Sequence, residues 1–366
     1  MNRFLAERYI EKERAYNKDE TYIGHGKNVE TMKKNRSVVN VGVDIGGTKI
    51  ALGLVTLKGE ILSQKTFPTC PEKGDDWIID RLVADIHQLI DQSHVDRQTI
   101  RSIGIGVPGT VDIQTGHVIL APNLCWRNIP LGPKLNVHFR DIPVYIDQDT
   151  KVAALGEYIA CGDASVENLF FMTISTGIGA GIILNRTLFR GRLNTAGEIG
   201  HCVVEKHGKL CSCGNRGCLE MYAKGPAIAE IALQRITNGE PSSLQKQVRL
   251  HDLNSIHVAE AALRGDALAQ DVLLNAAEYV GFALVNVITL LNPDLIVIGG
   301  GVARSGEFFL ERIREVTERY CYPPMKESYK IVLTSQWEKS AIIGAGLLYQ
   351  TYHNSAHKSH TMHSEA

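Results

Sequence analysis

The 366-residue chain has no dominant charge: 39 basic side chains stand against 40 acidic ones, a formal charge of −1. No net field is available to draw nucleic acid or an anionic membrane surface non-specifically. No apolar run reaches the roughly 18 residues of a bilayer span, so a membrane-spanning helix is not expected. The opening segment MNRFLAERYIEKERAYNKDE lacks the uninterrupted apolar core of a signal peptide, which points to the cytoplasm. A disulfide framework is missing too. Cys70, Cys125, Cys161 and Cys321 stand alone, while Cys202, Cys211, Cys213 and Cys218 crowd into 17 positions. That pattern suits metal binding or catalysis better than cross-linking. What is present argues for folded domains. Hydrophobic residues make up 44% and charged residues 22%, which excludes a disordered chain. At about 150 residues per domain, two or three domains are expected. The 34 glycines, about 9% against a usual ~7%, gather in a few clusters.

Residues 1–38 are polar, though Phe4, Leu5, Tyr9 and Ile10 could form one stripe of a short helix; the segment reads as a frayed extension or a helix resting on the core, or else as a regulatory or partner-binding arm. Regular structure then starts sharply. Val38 to Ile45, Ile50 to Val55 and Ile61 to Lys65 read as three strands joined by tight turns. A helical spacing covers 76–94, buried strands follow at 103–107 and 144–146, and Val152 to Ala160 reads as a helix. A second copy of the plan begins with a strand at Leu169 to Ile174, a glycine-rich turn, and a return strand at Ile182 to Leu184. Helices are expected over 225–237, 256–264, 266–291 and 308–320, with strands at 295–298 and 331–333 and a final helix from Ala341 to Tyr349. The tail 353–366, with four histidines and no apolar period, reads as disordered. Two related α/β domains facing each other across a cleft would explain the repeat.

The first turn, Asp44-Ile45-Gly46-Gly47-Thr48-Lys49, lies between two strands. A dinucleotide fingerprint needs a following helix, and the P-loop spacing is absent as well. A hairpin tip of two glycines and a threonine can still present several N–H groups to a phosphate. Lys49 adds a positive charge, and Asp44 could hold a metal ion through water. One such turn alone reads as an ordinary hairpin. A second, Thr173 to Gly181 with Thr176, Gly177 and Gly179, lets two tips clamp one polyphosphate. Gly299-Gly300-Gly301, opening toward a helix, is a third close-approach site suited to an adenosine and a phosphate.

His201 precedes Cys211-Ser212-Cys213-Gly214-Asn215-Arg216-Gly217-Cys218. One imidazole and three thiols complete a tetrahedral zinc shell, and four protein ligands leave no open position, so such a zinc is structural. Gly214 and Gly217 permit the tight backbone. Cys202 competes as a ligand, but its β-branched neighbours suggest a core residue. Glu198 and Glu220 flank the cluster and could accept hydrogen bonds from sugar hydroxyls; the alternative is two surface glutamates.

Taken together, these residues resemble the ROK family of sugar kinases and repressors. The resemblance spans about 38–350 and rests on DIGGTK at 44–49, APNLCWRNIPL at 121–131, DQDTKVAALGE at 147–157, STGIGAGI at 175–182, AGEIGH at 196–201, CSCGNRGCLE at 211–220 and NPDLIVIGGGV at 292–302. It implies the two-domain actin/hexokinase-like (ribonuclease H-like) α/β fold. The domains would run 39–148, completed by a C-terminal helix over 340–352, and 149–339, with the zinc loop at 197–220. It further implies transfer of the ATP γ-phosphoryl group, with Mg²⁺, to a hexose. Asp149 matches the catalytic aspartate, and Gly109, Asn123, Gln148, Asp149, Glu198, His201 and Glu220 match the sugar contacts. Asn123-Leu124 with Trp126 is closer to the bacterial glucokinase branch than to the N-acetylmannosamine kinases. A homodimer or homotetramer, without nucleic acid, is expected. The segment Gln148-Asp149-Thr150-Lys151 departs from the usual NDAN, which bears on the sugar accepted. Two other readings compete: a sugar-responsive repressor, and a sugar sensor that has lost catalysis. A winged helix-turn-helix needs roughly 60 residues or more. The first 36 residues hold 9 basic and 6 acidic side chains, no strong phosphate-binding patch.

Overall fold

The computed structural model describes residues 38–352; the polar extension and the histidine-bearing tail lie outside the described residues. Val39–Ile45 (β1), Lys49–Thr56 (β2) and Ile61–Pro68 (β3) form an antiparallel meander. β1 and β2 are buried along almost their whole length, while β3, at the edge, alternates between half-buried and exposed until Phe67. Strands covered on both faces carry continuous apolar runs, and edge strands do not. The helix Asp75–Gln92 buries Ile78, Leu82, Ile86 and Leu89, one face at a helical period. Ile100–Val107 (β4) then runs parallel to β1. Thr110–Asp112 (β5), His117–Ala121 (β6) and Trp126–Ile129 (β7) make a separate three-stranded sheet that the sequence pattern does not reveal. Strands of three to five residues carry too short a period to read. Val144–Gln148 (β8) completes the first sheet, in the order β3-β2-β1-β4-β8.

The second sheet repeats this plan. Leu169–Ile174 (β9), Ile178–Leu184 (β10) and Thr187–Phe189 (β11) are antiparallel, and Leu295–Gly299 (β12) and Lys330–Leu333 (β13) add in parallel. The order is β11-β10-β9-β12-β13. The helix Ala267–Leu291 is long and apolar enough to cross a membrane. In this fold it buries Leu273, Ala276, Val280, Leu284 and Ile288 in the core of the second sheet.

Two helices join the halves. Asp149–Cys161 follows β8 but packs on β9 and β10, and Ser340–Gly346 follows β13 but packs on β1, β2 and β4. Where they cross, a Cβ on Gly156 would lie 1.9 Å from the Ser340 carbonyl oxygen, and one on Gly344 would lie 1.8 Å from that of Val152. Only glycine permits so close an approach. The helix expected over 340–352 is interrupted at Leu347 and Leu348. Leu348, Gln350 and Thr351 donate to the carbonyls three residues back, so the chain tightens there into a 3₁₀-like turn.

Candidate active site

The carboxyl ends of the parallel strands of both sheets meet at the junction of the halves, the place where open α/β sheets hold ligands. The first turn, Gly46–Thr48, sits there, pinned by the Gly46 N–H to the Lys49 carbonyl (2.9 Å) and by the Thr69 hydroxyl to the Gly46 carbonyl (2.7 Å). A Cβ on Gly47 would lie 3.2 Å from Cβ of Asn123, so this turn rests on Asn123. The second turn is narrower than expected: it is Ser175–Gly177 alone, and β10 already begins at Ile178. Gly179 therefore lies in a strand, where its missing Cβ makes room for Thr150, 2.8 Å away. It spaces the helix Asp149–Cys161 from the sheet rather than forming the tip. Gly177 lies 4.0 Å from Oε2 of Glu220, measured from where its Cβ would be. The third turn holds Gly300 at φ +87°, where a Cβ would meet the Ile174 carbonyl at 2.4 Å, and Gly301 within 4.0 Å of the Ser175 hydroxyl. No α-helix opens directly from it. A short 3₁₀ helix, Val302–Ser305, intervenes, and Gly306 at φ +115° separates it from the helix that begins at Glu307. Gly109, at φ +90°, packs against the Leu120 backbone (2.0 Å for a Cβ), so it shapes the seat of β6.

Asp149 is the first residue of its helix, three positions earlier than the sequence pattern indicates. Burial raises its carboxyl above the ordinary 3.8, the Glu198 charge adds to this, and the Thr150 N–H, 2.7 Å from Oδ1, pulls it back. Asp44, at the end of β1, is pushed up to about 7 by burial and then by the Asp149 charge. The two carboxylates thus share a region with a shortage of positive charge. Beside them runs a polar network. Lys151, fully buried, donates to Oε1 of Gln148, and Gln148 Nε2 donates to Oε1 of Glu198 at 2.9 Å. Burial lowers the Lys151 amine from its usual value, against the pull of Asp147, Glu198 and Asp149. Asp147 accepts from Arg190 Nε (2.7 Å) and Asn194 Nδ2 (2.8 Å), tying β8 to the segment after β11.

The ligand atoms of His201, Cys211, Cys213 and Cys218 all lie within 4.8 Å of one another. Cys213 and Cys218 sulfurs are 3.6 Å apart, and Cys211 Sγ is 3.7 Å from His201 Nδ1. A tetrahedron with Zn–S bonds of about 2.3 Å has edges of about 3.8 Å, so the residues fit such an ion. Burial, with the crowding of the other two thiols, pushes Cys218 up to about 12, and a bound cation would stabilise its thiolate. Gly214 (φ +92°) and Gly217 (φ +79°) make the tight turn. Cys202 is exposed and lies outside this group, not in the core. Val203 beside it is exposed as well, because it bridges to Cys218 at the loop surface rather than entering a sheet. The loop is coupled to Glu220: Cys211 donates to Oε1 at 3.1 Å, and His201 Nδ1 lies 4.0 Å away.

Sequence reasoning misses Arg190, Asn194 and Lys224. Lys224 sits 3.4 Å from Glu220, one helical turn on, and its neighbour Gly225 donates to the Ser175 carbonyl of the second turn at 2.8 Å. A basic residue four positions after a motif glutamate is the signal for it. Lys49 is exposed and paired with Glu338 at 2.7 Å. A recess of about 280 Å³ lined by Arg101, Ser102, Pro143, Tyr145 and Tyr349 lies at the opposite ends of β4 and β8 and touches none of these residues.

The model of the ROK family matches residues 40–352. The chain belongs to the ROK family. Among ROK proteins it is 35% identical over 320 residues to a glucokinase of Halalkalibacterium halodurans, covering 87% of this chain and 97% of that one. It is 30% identical over 321 residues to the xylose repressor of Caldicellulosiruptor bescii, covering 87% and 80%. Its fold matches the crystal structure of a ROK family glucokinase from Streptomyces griseus in complex with glucose and AMPPNP, with a TM-score of 0.72, 33% identity, and coverage of 85% and 98%. The architecture is thus the actin/hexokinase-like α/β fold of ROK sugar kinases.

Proposed function

We propose that this ROK protein transfers the γ-phosphoryl group of ATP to a hexose hydroxyl, with glucose the favoured acceptor and Asp149 the general base. The observation that carries this reading is Asp149 itself. Its carboxylate stands at a helix start, near Glu198 and Asp44, where both sheets end. A carboxylate within reach of a hydroxyl accepts its proton as the oxygen attacks phosphorus. The rest of phosphoryl transfer is positioning and charge neutralisation. The turns at Gly46–Thr48, Ser175–Gly177 and Gly299–Gly301 offer backbone N–H groups and close approach for the nucleotide. Asn123, Gln148, Glu198, His201 and Glu220 would orient the sugar. Mg²⁺ on the phosphates, near Asp44, would offset negative charge. The His201, Cys211, Cys213 and Cys218 set would hold a structural zinc, and its link to Glu220 would shape the sugar side. Closure of the halves would keep water from competing as acceptor. The similarity to a glucokinase at 35% identity supports glucose.

A second reading, a sugar-responsive repressor, draws on the similarity to the xylose repressor. The deciding assay is ADP release from Mg·ATP over glucose, mannose, fructose, allose, N-acetylglucosamine and N-acetylmannosamine. Turnover with glucose or another hexose of the panel is the expected result. No turnover with any of them, using zinc-replete protein, removes the kinase reading. Sequence-specific duplex binding across a salt series would then establish the other.

A further inference from the structure

We infer that Lys151 is a positioning residue for sugar recognition: it fixes which way the Gln148 amide faces and, through that amide, holds Glu198 in place. This rests on the sugar site proposed above. Lys151 is 0% exposed, a rare place for a lysine. Taking an ammonium out of water is costly unless its donors are used. Among the described residues its Nζ donates one hydrogen bond, to Gln148 Oε1.

The bland alternative is that the lysine answers the buried charge of Asp147. Asp147 does attract it at a distance. The oxygens of Asp147 are nonetheless engaged already, by Arg190 Nε at 2.7 Å, Asn194 Nδ2 at 2.8 Å and the Gln148 backbone N–H at 2.8 Å. Lys151 Nζ makes its hydrogen bond to Gln148 Oε1 instead. Its consequence is directional. An ammonium donates and never accepts. Turning the Gln148 amide over would aim its NH₂ at that ammonium and its oxygen at the Glu198 carboxylate, two repulsive contacts in place of two attractive ones. The amide therefore presents Nε2 to Glu198, as observed at 2.9 Å. Glu198 is otherwise an exposed side chain on a loop, with rotamer freedom to lose on binding a ligand. Held by Gln148, it offers its second oxygen next to the second N–H of Nε2. Adjacent acceptor and donor suit two neighbouring hydroxyls of one sugar, and the pair is set before the ligand arrives.

The test is a double-mutant cycle read by calorimetry with glucose on the zinc-replete full chain: wild type, Lys151→Met, Gln148→Leu and the double variant. Lys151→Met should weaken glucose binding about tenfold. Gln148→Leu should do the same or more, and the double variant should be no weaker than Gln148→Leu. Affinity for ATP should stay within about twofold throughout, which a general loosening of the site would not allow. Lys151→Gln, which keeps a donor but can also accept, should fall between wild type and Lys151→Met, and it serves if the methionine variant does not fold. Glucose affinity unchanged in both Lys151 variants overturns the inference, and so does a Lys151→Met loss that adds fully to that of Gln148→Leu. A wild type that binds none of the six sugars overturns it as well. A wild type that binds glucose but releases no ADP removes the kinase reading alone, and the cycle still reports on Lys151.

Discussion

The two sheets share one plan and differ in what stands at their strand ends. In the first, Ile45 pairs with Ile50 across the turn; in the second, Ile174 pairs with Ile178. One residue earlier, the first sheet carries Asp44 and the second carries Thr173. The last parallel strand of the first sheet runs into Asp149, and that of the second runs into Thr334, whose hydroxyl donates to buried Glu157. Both halves thus end in a glycine turn, and the first adds carboxylates where the second has hydroxyls. Physical cost explains the split. A buried carboxylate is destabilising without a cation, and proton acceptance needs one. Phosphate binding needs close backbone approach, which glycine supplies at no such cost. A duplicated scaffold has become asymmetric at the positions where the proposed chemistry is asymmetric.

The largest effect should come from removing that asymmetry at Asp149. Asp149→Asn should lower kcat by roughly 10²- to 10⁴-fold, the range for loss of a general base, while calorimetric glucose affinity stays near wild type. Its pH dependence carries a sign. Burial and the Glu198 charge raise the Asp149 carboxyl above 3.8, and a base works ionised. Wild-type kcat/KM should therefore fall as pH drops through a value above that of an ordinary aspartate, and the residual rate of Asp149→Asn should lack this limb. Unchanged turnover in the variant would take Asp149 out of the role.

The two halves also carry different insertions near the site: the β5–β7 sheet in the first and the cysteine loop in the second. Cys213→Ala tests the second. Bound zinc, measured by elemental analysis, should drop from one per chain to none, with a lower Tm, because metal affinity here is folding energy. Glu220 touches Cys211 at 3.1 Å, so KM for sugar should rise roughly 10- to 100-fold, as when a metal's supporting contacts are lost. Retention of one zinc and full activity would refute the ligand set.

How far the sequence reveals all this depends on the range of each interaction. β1, β4, β8 and β9 are legible because local runs such as VNVGVDI and LFFMTI carry their own signal. The cysteine cluster is legible because its three thiols fall within eight positions. The contact of Gln148 with Glu198 spans 50 positions and that of Arg190 with Asp147 spans 43, and no local pattern announces either. Lys151 stands out in the sequence only as a departure from a family motif; its burial and its partner come from the fold. The misreading of Cys202 has the opposite cause. Its β-branched neighbours suggest a core residue, but Val203 bridges to Cys218 within the cysteine loop and stays exposed with it.

The smallest effects compare the glycines of the turns themselves. Gly300 sits at φ +87° with a Cβ position 2.4 Å from the Ile174 carbonyl oxygen, whereas Gly47 has no positive φ and a Cβ position 3.2 Å from a side-chain atom of Asn123. Backbone strain of this kind costs about 1–3 kcal/mol. At ~2–4 °C per kcal/mol for a chain of this order of size, Gly300→Ala should lower Tm by several degrees. Gly47→Ala should leave Tm nearly unchanged, because Asn123 can yield by a few tenths of an ångström. Asn123 is also a proposed sugar contact, so Gly47→Ala should raise KM for glucose as well as for ATP, while Gly300→Ala acts on ATP alone. Thermal melts and the two KM values together separate the cases. If both variants melt alike and shift the same KM values, the two turns are not the distinct parts this geometry makes them.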